Sequence, residues 1–394
     1  MKKRFISIMI TAVFIMTAVF TGTAYADVTP APQTAAQCAV LIDANTGEVL
    51  MDKDMNMTEF PASTTKMMTA LLAIEHLDLD QVVTVGEDVV NIDGSGLDIK
   101  PGEQFTVEQL LYGMMLKSAN DMAVVLADAV SGNSANFAIL MNQKAARIGC
   151  TGTNFVTPNG LPDDQHVSTP HDLALIAAEG MKNPTFAKIV KTKHYTIPAT
   201  NMSPERKVTN SNQLLTNKKT LMVDGVERPY HYDGIKGVKT GFTNAAQACL
   251  AADAERNGLD LISVTMHDSR EEQYPDAIKI LDWGFANYKA LTVINKNKVL
   301  AEADVENGAS KTVNLVPEKD IKMAAEKNVT SRKDLSYKTK AKPLTAPVKK
   351  GTEAGTITIY KDGSKLVSYK LVTQKDVDGS FSYKVSKFFK DLFN

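Results

Sequence analysis

The strand signals fall in two places far apart along the chain, and this most restricts what it can fold into. The first is "CAVLIDANTGEVLMDKDMN", where two apolar runs flank Asn45-Thr46-Gly47 and Gly47 can supply the positive φ of a hairpin turn. The second is the series "GIKGVKTGFT", "QACLAADAE" and "LDLISVTMHD", short apolar runs broken by glycine or charge. Between them lie helical patterns over 64–77, 107–116 and 121–130. A further helix, "YPDAIKILDWGFANY", follows the last strand with Ile278, Leu281, Trp283 and Phe285 mainly on one face. Strands at both ends with helices between them predict one α/β (α+β) domain over 27–289, its sheet assembled from distant parts of the chain.

From about Ala290 the texture changes. "KTVNLV", "TITIY" and "KLVSYKLV" alternate apolar and polar residues, and Lys361-Asp362-Gly363-Ser364 suits a tight hairpin. This predicts a small all-β domain over 290–379, in which the polar, proline-interrupted "TKAKPLTAPVKKGTEAG" is expected to be loop. A chain of 394 residues, 44% of them hydrophobic, has the material for two such cores. No internal repeat is visible.

Both ends read as membrane-related. Lys2, Lys3 and Arg4 precede an apolar run that closes on Ala24-Tyr25-Ala26, the pattern of a secretory signal peptide over 1–26, so the mature chain is expected to start near Asp27 outside the cytoplasmic membrane. The last residues, 380–394, place Val385, Phe388, Phe389, Leu392 and Phe393 at helical spacing with Lys384, Lys387 and Lys390 elsewhere. That is a basic amphipathic helix, too short to span, and a C-terminal anchor on the outer membrane face is expected; packing on the β domain is the other reading.

With 44 basic against 45 acidic residues, the overall charge gives no argument for nucleic acid as a partner. Cys38, Cys150 and Cys249 are too few for a disulfide framework and read as core residues, with room for a single bridge in an exported protein. The six histidines show no paired ligand spacing, and neither a metal nor a cofactor is expected.

Chemistry concentrates in "EFPASTTKMMTALLAIEHL". A serine hydroxyl needs a base within hydrogen-bond reach to act as a nucleophile at neutral pH. Ser63 and Lys66, at i and i+3 of a helix start, face the same side, and Pro61 suits an extended approach. Free backbone N–H groups and the positive end of the helix dipole favour a developing oxyanion there. Such a pair alone is ordinary capping and surface charge. Two more elements change its weight: Ser118-Ala119-Asn120 at the junction of two predicted helices, and Lys239-Thr240-Gly241 on a predicted strand, where Gly241 lets a substrate backbone come close. Their order and contexts are those of penicillin-recognising serine enzymes.

Over "PASTTKMMTALLA", "MLKSANDMAVVLAD" and "GVKTGFTNAAQACLAA" the chain resembles the low-molecular-mass penicillin-binding proteins that act as serine-type D-alanyl-D-alanine carboxypeptidases, and the resemblance extends over nearly its whole length. Carried over by position, it implies Ser63 as acylated nucleophile, Lys66 as its base, and Ser118 as proton relay to the leaving amine. Asn120 would hold the substrate amide, Lys239 would keep the groove positive, and Thr240 would bind the terminal carboxylate. The N–H groups of Ser63 and Phe242 would form the oxyanion hole. It also implies peptidoglycan stem peptides ending in D-Ala-D-Ala as substrate and β-lactams as inhibitors.

Two departures stand out. Ala119 occupies a position where β-lactamases have aspartate, which favours a peptidase. Gln273 precedes Tyr274 where relatives often carry arginine, leaving Arg270 as the remaining candidate for that carboxylate contact. Asp172, in "FVTPNGLPDDQHVSTPHDLALIA", matches by resemblance an aspartate placed near the family's active site, and it also reads as part of a helix start with Ser168 and Thr169. His166 and His171 are expected on the surface or in loops, and no G-x-S-x-G elbow supports a Ser/His/Asp triad. The expected activity is D-Ala-D-Ala carboxypeptidation. A D,D-endopeptidase, a β-lactamase and a non-catalytic β-lactam or muropeptide sensor are the alternatives.

Overall fold

The computed structural model describes residues 28–90 and 92–392. The leader read over 1–26 lies outside the described residues. β1 (Cys38–Asp43) and β2 (Val49–Lys53) form the expected hairpin, with Gly47 at φ 77° in its turn. One turn of 3-10 helix, Ala62–Thr65, runs into α1 (Lys66–His76). There follow α2 (Val107–Lys117), α3 (Asn120–Ser131), α4 (Ser134–Ile148), α5 (Pro170–Met181), α6 (Pro184–Lys191) and the single-turn α7 (Gln213–Thr216). The chain then returns to the sheet through β3 (Ile235–Thr243), β4 (Gln247–Arg256) and β5 (Leu259–Asp268), and α8 (Gln273–Asn287) closes the domain.

The sheet order is β2-β1-β5-β4-β3, antiparallel throughout, so β1 lies beside β5 with Val40 opposite Val264. Alternation along β1 explains why distant segments must meet. Val40 and Ile42 face a core shared with α1, α2, α3 and α5, whereas Ala39 and Leu41 face a second core with Ile278 and Leu281 of α8. With both faces covered, these strands read as continuous apolar runs. Each fully buried aliphatic side chain contributes about 1.5–3 kcal/mol.

Local chemistry sets the helix ends around the site. Thr106 and Gln109 form a capping box at the start of α2, and the helix stops at Ser118, which adopts a left-handed φ of 64°. Ala119 is extended and α3 begins at Asn120, so the serine and asparagine of this tripeptide sit at the end of one helix and the start of the next.

The second domain opens with β6 (Tyr288–Ile294), two residues before the boundary expected at 290. It continues with β7 (Ala301–Glu306), β8 (Thr312–Pro317), β9 (Ile321–Glu326), β10 (Leu335–Ala341), β11 (Leu344–Thr345), β12 (Glu353–Lys361) and β13 (Ser364–Thr373). A sheet ordered β10-β12-β13-β8-β7-β11 stands beside the β6-β9 pair. Asp362 and Gly363 have φ of 48° and 82° in the predicted hairpin turn. The segment expected as loop is partly strand: Thr339 to Ala341 complete β10, and Leu344 and Thr345 form β11. Lys340 lies in β10 at the sheet edge, where charge is tolerated because one side of the strand meets solvent.

The two domains are joined by charge. Arg332 donates to both carboxylate oxygens of Glu48 at 3.0 Å and to Asp334 at 2.7 Å, while Lys361 donates to Glu48 at 2.6 Å. Asp43 accepts from the backbone N–H of Ala324 at 2.7 Å. The β1–β2 turn is thus held by the second domain.

The chain ends in α9 (Phe381–Leu392). Val385 is exposed, and the side chains of Phe388, Phe389 and Leu392, with residue Phe393, lie outside the described residues. Among the described residues no single helix is long and apolar enough to cross a membrane. All three cysteines are free, and Cys38 and Cys249 are buried in the core.

Candidate active site

Phe60 and Pro61 lead from the sheet side into the 3-10 turn, and Ala62 takes a φ of 47° there. Thr64 ties the turn down by donating its hydroxyl to the Pro61 carbonyl at 2.6 Å. The sequence pattern predicts a plain helix from residue 64; the 3-10 start matters because side chains at i and i+3 eclipse in that geometry. Lys66 therefore stands directly over Ser63, with Nζ 2.9 Å from Oγ.

Lys66 is completely buried and makes two further bonds, to Asn120 Oδ1 and to the Asn159 carbonyl, each at 2.6 Å. Burial pushes its pKa well below the ordinary lysine value, nearby Lys239 pushes the same way, and Asp121 opposes both. The partners fit a neutral amine. Asn120 Oδ1 and the Asn159 carbonyl only accept, so they take the two N–H groups, and Ser63 alone can donate to the lone pair.

Across the cleft, β3 is the edge strand of the sheet. Lys239, 1% exposed, donates to Ser118 Oγ at 3.1 Å and to the Thr240 carbonyl at 2.9 Å. Burial lowers its pKa to about 7. Thr240 Oγ1 lies 2.8 Å from Ser211 Oγ. The close approach at Gly241 is to the turn that carries Ser63: a side-chain carbon there would stand 3.0 Å from Ser63 N and 3.1 Å from the Pro61 carbonyl. The backbone of Ser63 thus abuts the strand one residue before Phe242. Over the Phe242 ring lies the Arg270 guanidinium, 3.5 Å from its centroid.

Ser63, Lys66, Ser118, Asn120, Lys239, Thr240, Gly241 and Phe242 accordingly converge on one cleft, with Arg270 at its edge. Asp172 does not touch that group. Its carboxylate, 1% exposed, accepts from Thr151 N, Gly152 N at 2.8 Å and Thr153 Oγ1 at 2.7 Å, while its own N–H is capped by Thr169. Thr153 bonds Ser168, and Ser168 bridges through its backbone to Glu59, four residues before Ser63. Asp172 holds the loop that braces the turn carrying Ser63.

His166 lies in a loop, one of the two places expected for it, but it is buried there, 1% exposed. Its Nδ1 accepts from Val156 N at 2.9 Å and Thr157 N at 3.1 Å, which leaves Nε2 to donate to Thr65 Oγ1 at 2.8 Å. Burial lowers its pKa to about 4, so it stays neutral. His171 is half-exposed in the first turn of α5.

Sequence reasoning missed Asn159, whose contribution is a backbone carbonyl, and Gly160, which packs against Ala62. The Pro158-Asn159-Gly160 turn signal was available, but nothing local says that the turn meets residues 62–66. Asp93 was missed likewise; its carbonyl accepts from Asn120 Nδ2 at 2.7 Å.

This constellation can be compared with known proteins. The family model of D-alanyl-D-alanine carboxypeptidases matches residues 25–270. The chain belongs to that family. A second model, the C-terminal domain of penicillin-binding protein 5, matches residues 288–379. Among similar D-alanyl-D-alanine carboxypeptidases, DacF of Bacillus subtilis is 32% identical over 87% of this chain and 86% of its own length. DacA of Escherichia coli is 30% identical over 92% of this chain and 89% of its own. The crystal structure of penicillin binding protein 5 from Haemophilus influenzae superimposes with a TM-score of 0.63 at 31% identity, covering 89% of this chain and 99% of that one. The DD-transpeptidase of Streptomyces gives 0.59 at 33% identity, covering 66% of this chain and 100% of its own. The carboxypeptidase family and the penicillin-binding fold expected from the three motifs are borne out.

Proposed function

We propose that this protein removes the terminal D-alanine of peptidoglycan stem peptides through an acyl-enzyme on Ser63. The observation that carries the reading is the wholly buried Lys66 amine 2.9 Å from Ser63 Oγ, its other two bonds made to groups that can only accept. Lys66 takes the hydroxyl proton as Oγ bonds to the carbonyl carbon of the penultimate D-alanine. The oxyanion forms against the Ser63 and Phe242 N–H groups. Collapse breaks the C–N bond, and the leaving amine takes its proton through Ser118, which already accepts from Lys239. Water then attacks the ester, with Lys66 again receiving the proton, and frees Ser63. Lys239, Thr240 and Arg270 attract the terminal carboxylate, and Asn120 holds the substrate amide. A β-lactam presents a similar carbonyl and carboxylate and acylates the same oxygen.

The place of action in this reading is the outer face of the cytoplasmic membrane. The signal pattern over 1–26 supports export, and the lysine-rich helix with exposed Val385 supports anchoring. The second domain, clamped through Arg332, Glu48 and Lys361, would fix the orientation of the cleft above that surface.

An intact-mass time course with a penicillin, with Ser63→Ala as control, tests this. A long-lived adduct absent from the variant, together with D-alanine release from a D-Ala-D-Ala peptide, is expected. Adduct without release indicates a sensor, rapid drug loss without lasting adduct a β-lactamase, and no adduct refutes the nucleophile.

A further inference from the structure

His166 fills the inside of a loop that closes on itself, and the chemistry above gives it no role. Asn154 and Val167 pair through both of their backbone bonds, at 2.9 and 3.0 Å, and Asn154 Nδ2 donates to the Gln165 carbonyl at 2.8 Å. The chain thus leaves and returns at one place, as in a compact surface loop. The Phe155 ring packs obliquely on the imidazole, their centroids 5.6 Å apart. The charges that act on the ring are Asp163, on the same loop, and Lys66 on α1.

The imidazole reaches both of the things that fix the Lys66 amine. One is the backbone that carries it: Nε2 donates to Oγ1 of Thr65, the preceding residue, at 2.8 Å. The other is the turn that supplies an acceptor: Nδ1 accepts from Val156 N at 2.9 Å and from Thr157 N at 3.1 Å. From Thr157 the connection runs on through short bonds. Thr157 Oγ1 accepts from Gly160 N at 3.2 Å and Asn159 Oδ1 from Leu161 N at 3.0 Å, and the Asn159 carbonyl held in that turn accepts from Lys66 Nζ at 2.6 Å. Thr69 Oγ1 donates to the Pro158 carbonyl at 2.5 Å. With two backbone N–H groups aimed at Nδ1, the ring proton is on Nε2, and burial, which lowers the pKa to about 4, keeps the ring in that neutral form. An apolar side chain in its place would leave the Val156 and Thr157 N–H groups without a partner, and the turn would shift to satisfy them.

We propose that His166 is a positioning residue for the base: its ring fixes the separation between Lys66 and the turn carrying Asn159, so that the amine keeps its lone pair on Ser63. The inference rests on the acyl-enzyme reading above and deepens it. Set loose, the turn draws its carbonyl off the amine and admits water, and a hydrated Lys66 regains its proton at neutral pH.

The test measures the second-order rate of penicillin acylation against pH. His166→Leu is expected to acylate about a hundredfold more slowly at pH 7, the loss shrinking as pH rises, because the acid limb follows the Lys66 pKa upward. His166→Gln, whose amide can accept from the backbone and donate to Thr65, is expected to stay within about fivefold of the wild type with an unmoved limb. Wild-type behaviour of His166→Leu overturns the proposal. So does an equal loss in both variants, or a loss in His166→Leu that is the same at every pH, which would make the ring a part of the fold only. If His166→Leu does not fold, Thr65→Val takes its place, since it removes only the acceptor of the Nε2 proton. About a tenfold loss with the same pH trend is then expected, and unchanged kinetics overturns the proposal. Absence of any adduct in the wild type instead refutes the acyl-enzyme reading, and the positioning role falls with it.

Discussion

Gly160 lies with its bare Cα against the Ala62 carbonyl, one residue before the nucleophile, so that any side chain at 160 would drive into the turn that presents Ser63. Gly160 also has a φ of 82°, which side chains resist. Gly160→Ala is expected to displace residues 62–65 and cut the penicillin acylation rate about a hundredfold, since small misplacements of a nucleophile cost that much. Stopped-flow acylation with a thermal melt checks this; wild-type acylation in the variant would refute the bracing role.

A permanently charged side chain cannot serve as the base. Lys66→Arg is therefore expected to lower acylation by about 10²–10⁴-fold, the usual worth of a general base. Near-normal rates in a folded Lys66→Arg protein would remove Lys66 from that role.

The buried lysines give a signed pH dependence. Lys239 has a pKa of about 7 in the folded protein against an ordinary 10.5. Between those values the unfolded chain binds more protons, so stability from this group rises with pH, by up to about 1.4 kcal/mol per unit. Relative to Lys239→Met, the wild type is expected to gain stability steadily from about pH 7 to pH 10, read from urea midpoints. A flat difference would mean that Lys239 titrates normally. In kinetics, kcat/KM is expected to fall as pH rises through about 7, because the free enzyme then loses the cation that attracts the carboxylate.

Arg270 over the Phe242 ring gives a separable prediction. Arg270→Ala is expected to raise KM severalfold for a peptide with a free C-terminal carboxylate while leaving kcat within about twofold. Equal effects on a C-terminally amidated peptide would show that the arginine only props the phenylalanine.

Breaking the inter-domain pair leaves Glu48 short of its main partner; its side chain is 9% exposed and that of Arg332 10%. Arg332→Met is expected to cost about 3–5 kcal/mol, and small-angle scattering should show the second domain swinging free. Unchanged scattering would place the rigidity elsewhere.

Much of this molecule is written in local sequence. The hairpin at Gly47, the Asp362-Gly363 turn and the three motifs of the site depend on residues within a few positions of each other, so pattern alone finds them. The strand in "TKAKPLTAPVKKGTEAG" was illegible because an edge strand needs no apolar alternation to pair. What only the tertiary structure decided involves contacts between distant segments. Backbone carbonyls have no sequence signature, so the Asn159 and Asp93 contacts to Lys66 and Asn120 could not be read. His166, in a polar stretch, is buried because two backbone N–H groups and Thr65 satisfy its ring. The sequence by itself picked out the groups to which the chemistry is assigned in the proposed function. Folding decided their protonation, because the burial that pushes the Lys66 and Lys239 pKa values down exists only once helix, loop and strand have closed over them.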